Sequence, residues 1–268
     1  MGKDAFDILI LTGRPASGKS EIIDFLMHAP SDIRRACRVA DIDAIDDFPM
    51  LWTWFEEDDI LSQQMGQPRL HTDADGYFKH PYLWHLLIER LGLEYGKRLR
   101  DNPTYHDHTT TIIEFSRGSS HGGYTEAFPH LSDDILRRAA VVYVRVPFEE
   151  SRRKNRRRFN PEKPDSILEH SLSDEKLIRE YRDDDWATFS AADPRFLTVR
   201  SFRVPYVIFE NEDDVTTDKP ELLRARLEAR LGRLWEIHST ARAEPVGPVR
   251  HPACSTPQVP IVPIRRDL

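Results

Sequence analysis

The chain has 268 residues, 39% of them hydrophobic and 31% charged, with a formal net charge of −7. This length and apolar share suit one α/β domain with insertions or a tail, and supply enough apolar surface for a real core. The acidic balance excludes a general nucleic-acid binder, so affinity for polyanions has to come from a local patch. The cysteines, Cys37 and Cys254, lie far apart; one bridge is arithmetically allowed, but free thiols in a reducing compartment are the expectation. No apolar run approaches a membrane span, and no basic-then-apolar leader precedes the first run, so a cytoplasmic protein without membrane contact is expected.

The first element is the apolar run Ile8–Leu11, a buried-strand pattern that meets Gly13. Five residues later comes Gly18-Lys19-Ser20, followed by Ile22, Ile23, Phe25 and Leu26 at helical spacing. Strand, G-x-x-x-x-G-K-[ST] and helix, in that order, match the Walker A phosphate-binding loop in its usual context. Gly13 and Gly18 let the backbone of Gly13, Arg14, Pro15, Ala16, Ser17 and Gly18 turn N–H groups toward phosphate oxygens. The following helix points its N-terminal dipole at the same anion. Lys19 is the expected cation for the β- and γ-phosphates, and Ser20 the expected hydroxyl ligand of Mg²⁺.

The second strand is expected at Cys37–Ala40, which places Asp41 and Asp43 at its carboxyl end, where ligand crevices form. A carboxylate there can hold Mg²⁺, directly or through water, and a second can accept a proton from a substrate hydroxyl; the alternative is a pair of solvated turn carboxylates. Residues 47–108 form a mostly helical insertion, its clearest helix running from about Pro81 to Arg100. The aromatic and histidine residues of this insertion wall a pocket or, more simply, make the core of a helical subdomain. The third strand, Thr111–Phe115, carries Glu114 at a Walker B-type position, and Arg117 just beyond it is placed to clamp an anionic group. His121, in a Gly- and Ser-rich stretch, reads as a loop residue.

A fourth strand, Ala140–Val146, leads into the one dense cation cluster, Arg152 to Arg158. Arg152, Arg153 and Arg156 on a helix beside a phosphate site fit a lid that closes over a nucleotide. The rivals are a nucleic-acid phosphate clamp and a solvated helix paired with Asp183, Asp184 and Asp185. A helical, charged segment is expected over 166–187, a fifth strand at Tyr206–Phe209 and a last helix from about Pro220 to His238. Prolines punctuate residues 240–268, an extended or disordered tail. The alternation of strands and helices argues for a parallel sheet covered on both faces.

Taken together, these pieces resemble the nucleoside and small-molecule kinase branch of P-loop proteins, which includes adenylate-kinase-like, shikimate-kinase-like and deoxynucleoside-kinase-like enzymes. The resemblance rests on Gly13–Ser20, Asp41-x-Asp43, Glu114 and Arg117, and the Arg152–Arg158 segment. It implies a three-layer α/β/α P-loop NTPase fold with a five-stranded parallel sheet in the order 2-3-1-4-5. It also implies a kinase-like domain over 1–239, with an acceptor-binding insertion at 47–108, an arginine lid at 148–187 and a separate tail. The cofactors implied are ATP and Mg²⁺. The reaction implied is transfer of the γ-phosphoryl group to a hydroxyl of a small molecule of nucleoside or nucleotide type. Similarity to shikimate-type kinases ties Asp41 to Mg²⁺ and Asp43 to the acceptor, and Asn211 falls where such kinases hold the adenine ring. The base is Asp43 or Glu114. A polynucleotide kinase and an ATPase or nucleotide sensor are the alternatives, with a monomer or homodimer as the assembly.

Overall fold

A computed structural model of the chain describes residues 4–158 and 172–243. Most of the expected proline-rich tail, Cys254 and the start of the 166–187 segment lie outside the described residues.

The chain opens with β1 (Ile8–Gly13), α1 (Lys19–His28), α2 (Ser31–Ala36) and β2 (Asp41–Asp46). The insertion supplies α3 (Phe48–Asp59), a π-helical turn at Ile60–Gln64, α4 (Tyr82–Asp101) and α5 (Tyr105–His108). Then come β3 (Thr109–Phe115), α6 (Gly123–Ala127), α7 (Asp133–Arg138), β4 (Ala139–Arg145) and α8 (Phe148–Arg158). The chain continues through α9 (Asp174–Tyr181), α10 (Trp186–Phe189), β5 (Phe196–Val199), β6 (Phe202–Glu210) and α11 (Pro220–Ala243).

The sheet order is β2-β3-β1-β4-β6-β5. Strands β2, β3, β1, β4 and β6 are parallel, and β5 pairs antiparallel with β6. The expected five-stranded parallel sheet is therefore corrected to six strands with an antiparallel edge. The extra strand is a hairpin arm: Arg200, at φ 53, turns the chain back in two residues so that Val199 faces Phe202.

The second strand is also corrected. Cys37 and Val39 are buried, but as the approach to the sheet; they pack with Ile22, Ile23 and Leu26 of α1. The strand itself is Asp-Ile-Asp-Ala-Ile-Asp at the sheet edge, where half of each face meets water and acidic residues are tolerated.

Alternate residues of the central strands serve two cores. Ile8, Ile10, Ile113 and Phe115 pack with Leu91 and Tyr95 of α4 and with Tyr124 and Phe128. Leu9, Leu11, Ile112 and Val142 pack with α1 and with Leu223, Leu227, Leu231 and Leu234 of α11. This period-2 division makes a sheet buried on both faces, and so a three-layer molecule. Trp54, Leu83, Trp84 and Leu87 form a third cluster inside the insertion. Buried Asp58 fixes the segment that follows, accepting from the N–H groups of Leu70, His71 and Thr72 and from the Thr72 hydroxyl. Those donors hold its carboxyl below the usual range although burial pushes the other way.

Among the described residues, no helix is long and apolar enough to cross a membrane.

Candidate active site

Parallel register brings Gly13, Asp46, Glu114, Val144 and Asn211 to the carboxyl edge of the sheet. Asp46 faces Glu114, Leu11 faces Glu114 across β1, and Gly13 faces Val144. The loop between β1 and α1 crosses this edge. Gly13 and Gly18 have φ values of 151° and 106°. A Cβ on Gly18 would lie 2.5 Å from Asn211 Nδ2 and 2.6 Å from Thr216 Oγ1, so neither space nor backbone conformation admits a side chain there.

The loop is held from outside by side chains and carbonyls of later elements. The Asn211 amide donates to Ser17 O at 2.7 Å and to Thr216 Oγ1 at 2.8 Å, and its Oδ1 accepts from Val215 N at 3.0 Å. Asn211 is wholly buried, and these bonds use its capacity; the expected contact to a nucleotide base is corrected to a brace beneath the loop. Ser151 Oγ donates to Pro15 O at 2.7 Å. Arg14 pairs with Asp184 at 2.7 Å and donates to the carbonyls of Tyr181 and Arg182, so it turns away from the loop's centre. Ser17 Oγ is buried without a hydrogen-bond partner. The first turn of α1 has no intrahelical acceptors for its N–H groups.

Lys19 is 4% exposed and folds back on the loop. Its Nζ donates to Arg14 O and Ser116 Oγ, both at 2.9 Å, and lies 3.7 Å from Glu114 Oε1. Burial lowers its pKa, against the pull of Glu114 and Asp46. Ser20 Oγ donates to Glu114 Oε1 at 3.3 Å. Burial raises the Glu114 carboxyl. Burial and the neighbouring Glu114 and Asp47 push Asp46 up to about 8. Glu114 and Asp46 thus share one ammonium, since the third carboxyl nearby, Asp47, is paired with Arg117.

The carboxylates that sequence reading placed here lie elsewhere. Asp41 begins β2 opposite Thr109, five residues or about 16 Å from Asp46 at the strand rise, and its exposed side chain pairs with Arg34. Asp43 faces the other side of the sheet, bound by Arg98 Nε at 2.6 Å and by the Tyr105 hydroxyl at 2.6 Å. The cause is the shift in the second strand: the residues that reach the edge are Asp46 and Asp47. The alternation in Asp-Ile-Asp-Ala-Ile-Asp was the available signal, since it puts Asp46 on the same side as Ile42 and opposite to Asp43.

Arg117 is at the edge but internal, 1% exposed. It donates to Asp47 Oδ2 at 2.7 Å, Ser116 O at 2.6 Å and Trp84 O at 2.9 Å. It therefore ties the start of α3 to the end of β3, and only Nε is left unpartnered. His121 is buried, stacked on Trp84 with centroids 3.8 Å apart; burial and Arg117 push it down to about 3. It is part of the packing, not of a free loop.

The arginines of α8 are bound to acids. Arg152 pairs with Glu149 at 2.6 Å, Arg153 with Glu150 at 2.7 Å and Asp214 at 3.1 Å, and Arg156 Nε with Asp174 at 3.0 Å. None of these bonds runs to the loop at 13–18. Arg158, at the end of the helix, lines an open cleft of ≈ 640 Å³ with Ser20, Phe25, Thr216 and Lys219. Asp184 and Asp185 do not pair with this helix. Asp184 also accepts from the Tyr143 hydroxyl at 3.0 Å, and Asp185 from the N–H groups of Tyr124 and Thr125.

Among the described residues, no group of three or more His, Cys, Asp or Glu side chains is arranged to hold a metal by itself.

No protein-family model matches the chain, and no curated protein matches it in sequence. Two solved structures superpose weakly. An unliganded sugar kinase from Janibacter sp. HTCC2649 is 15% identical, with 87% of this chain and 98% of that chain covered and a TM-score of 0.37. The protein APE1195 is 13% identical, with 86% and 99% covered and a TM-score of 0.38.

Proposed function

We propose that the chain is an ATP-dependent phosphotransferase that carries the γ-phosphoryl group to a hydroxyl of a small molecule of nucleoside or nucleotide type. The observation that carries this reading is the loop from Gly13 to Ser20. It pairs two glycines at positive φ with a buried lysine folded on its own carbonyls, at the carboxyl edge of the sheet. Its hydrogen bonds run to the loop's own carbonyl and to Ser116 Oγ, and a polyphosphate would draw Nζ off them.

Mg²⁺ fits the donor set. Ser20 and Glu114 offer hard oxygens within hydrogen-bond reach of each other, and Mg²⁺ takes few protein ligands when phosphates and water supply the rest. Bound there, it would neutralise phosphate charge. The first turn of α1 and Lys19 hold the phosphates, and the cleft beside Phe25, Arg158 and Thr216 receives the nucleoside end. The acceptor oxygen attacks the γ-phosphorus, the bond to the β-bridging oxygen breaks, and ADP leaves. Asp46 takes the acceptor's proton; it replaces Asp43 in that role, with Glu114 serving the cation. Arg117 positions Asp47 and does not touch the acceptor. The α8 arginines act as a lid only by exchanging surface ion pairs for phosphate, which costs little.

The test is transfer from γ-labelled ATP with Mg²⁺ to pooled nucleosides, nucleotides, sugars, polyol acids and short RNA. A labelled product among small hydroxyl compounds is the expected result. Label on RNA alone, or free phosphate alone, overturns the proposed acceptor class.

A further inference from the structure

We propose that the outward face of α4 is the interface of a two-fold homodimer. Among the described residues, eight large apolar side chains are exposed, and three of them lie on this one helix: Tyr82 at 59%, Leu86 at 42% and Leu93 at 50%. With Glu89 they follow a four-three-four spacing, which places them within about 60° of arc on one side of the helix, opposite the buried Leu87, Ile88, Leu91 and Tyr95. Core helices of a monomer do not need a second apolar stripe; a helix that packs on another helix does.

The charges on that stripe select the occupant. A two-fold axis passing between Glu89 and Arg90 sets Leu86 against Leu93 of the second copy, and Leu93 against its Leu86. The same operation sets Glu89 against Arg90 of the second copy twice, and Tyr82 against its Lys97, whose ammonium is paired with Glu94 of its own helix at 2.6 Å. The pattern is self-complementary, as an isologous contact requires. Glu89 is 58% exposed and held on one side by His130 Nδ1 at 2.9 Å, so lone pairs remain for a guanidinium. Arg90 is half-buried at the margin of the stripe; its Nε is enclosed within its own chain, so only the terminal nitrogens of its guanidinium can face Glu89 of the second copy.

Sedimentation equilibrium of the full chain tests this with charge reversal. The wild type is expected to dimerise. Glu89→Arg puts arginine against arginine twice, and Arg90→Glu puts glutamate against glutamate twice; each alone weakens the dimer by at least about tenfold in Kd. An equimolar mixture of the two variants restores it as a heterodimer, because both cross-pairs become attractive. So does the double variant Glu89→Arg/Arg90→Glu. A change of fold would not be rescued by mixing, and circular dichroism of each variant checks this directly. A monomeric wild type overturns the proposal, as does a dimer that neither reversal weakens, or a mixture that stays monomeric.

Discussion

Asp46 shows at a single residue how the site is strained. In the unfolded chain its carboxyl titrates near 3.8, and in the fold it is pushed up to about 8. Below the lower value both states hold the proton. Between the two values the folded protein keeps a proton that the unfolded chain has released, so stability falls as pH rises across this window. Asp46→Asn carries no such group. Its Tm advantage over the wild type should therefore grow between pH 4 and pH 8 while phosphoryl transfer is lost; a pH-independent offset in Tm would contradict this account of Asp46. Lys19→Ala removes the buried cation, and transfer should drop by roughly a hundred- to a thousandfold. Cys37 is the opposite case: a wholly buried thiol pushed up to about 12 is an inert core residue, and it should resist thiol reagents until the protein unfolds.

Elements explain which parts of the site were legible in the sequence. The loop from Gly13 to Ser20 was, because its constraints are local: positive φ, strand before, helix after. The helix α4 was, because its apolar residues repeat at helical spacing over 20 residues. The second strand was not, because hydrophobicity marks burial and not pairing. Cys37 and Val39 are buried in coil, whereas the edge strand after them is half acid. That shift moved the carboxylates by the length of a strand. Strand β5 was missed because four residues at an edge carry too short a pattern, and its pairing is fixed by the turn at Arg200. Asp41→Asn, at the far end of β2, should leave transfer within about twofold of the wild type, since surface changes away from a site are close to neutral. Steady-state rates on the identified acceptor check this. Gly18→Ala should weaken nucleotide binding and lower the Tm, because the new Cβ meets Asn211 and Thr216 and the backbone must leave its φ of 106°.

At the scale of the molecule, the sheet separates two apolar cores, and the site lies where their shared strands end. Leu234, fully buried between α11 and the sheet, belongs to the core behind the loop. Leu234→Ala should cost about 2–5 kcal/mol by denaturant unfolding, with the transfer chemistry intact in the folded fraction. The insertion and α8–α9 flank the other side. Tyr77 lies under Arg179, 3.6 Å from guanidinium carbon to ring centroid, and Lys176 Nζ donates to Gly76 O, so the segment after α8 already rests on the insertion. Whether the loop from Gly13 to Ser20 holds a nucleoside triphosphate is decided by titration calorimetry of a non-hydrolysable ATP analogue with Mg²⁺. One site per chain is expected in the wild type, with at least tenfold weaker binding in Lys19→Ala. Equal affinity in the two proteins, or no binding to the wild type, would contradict this reading.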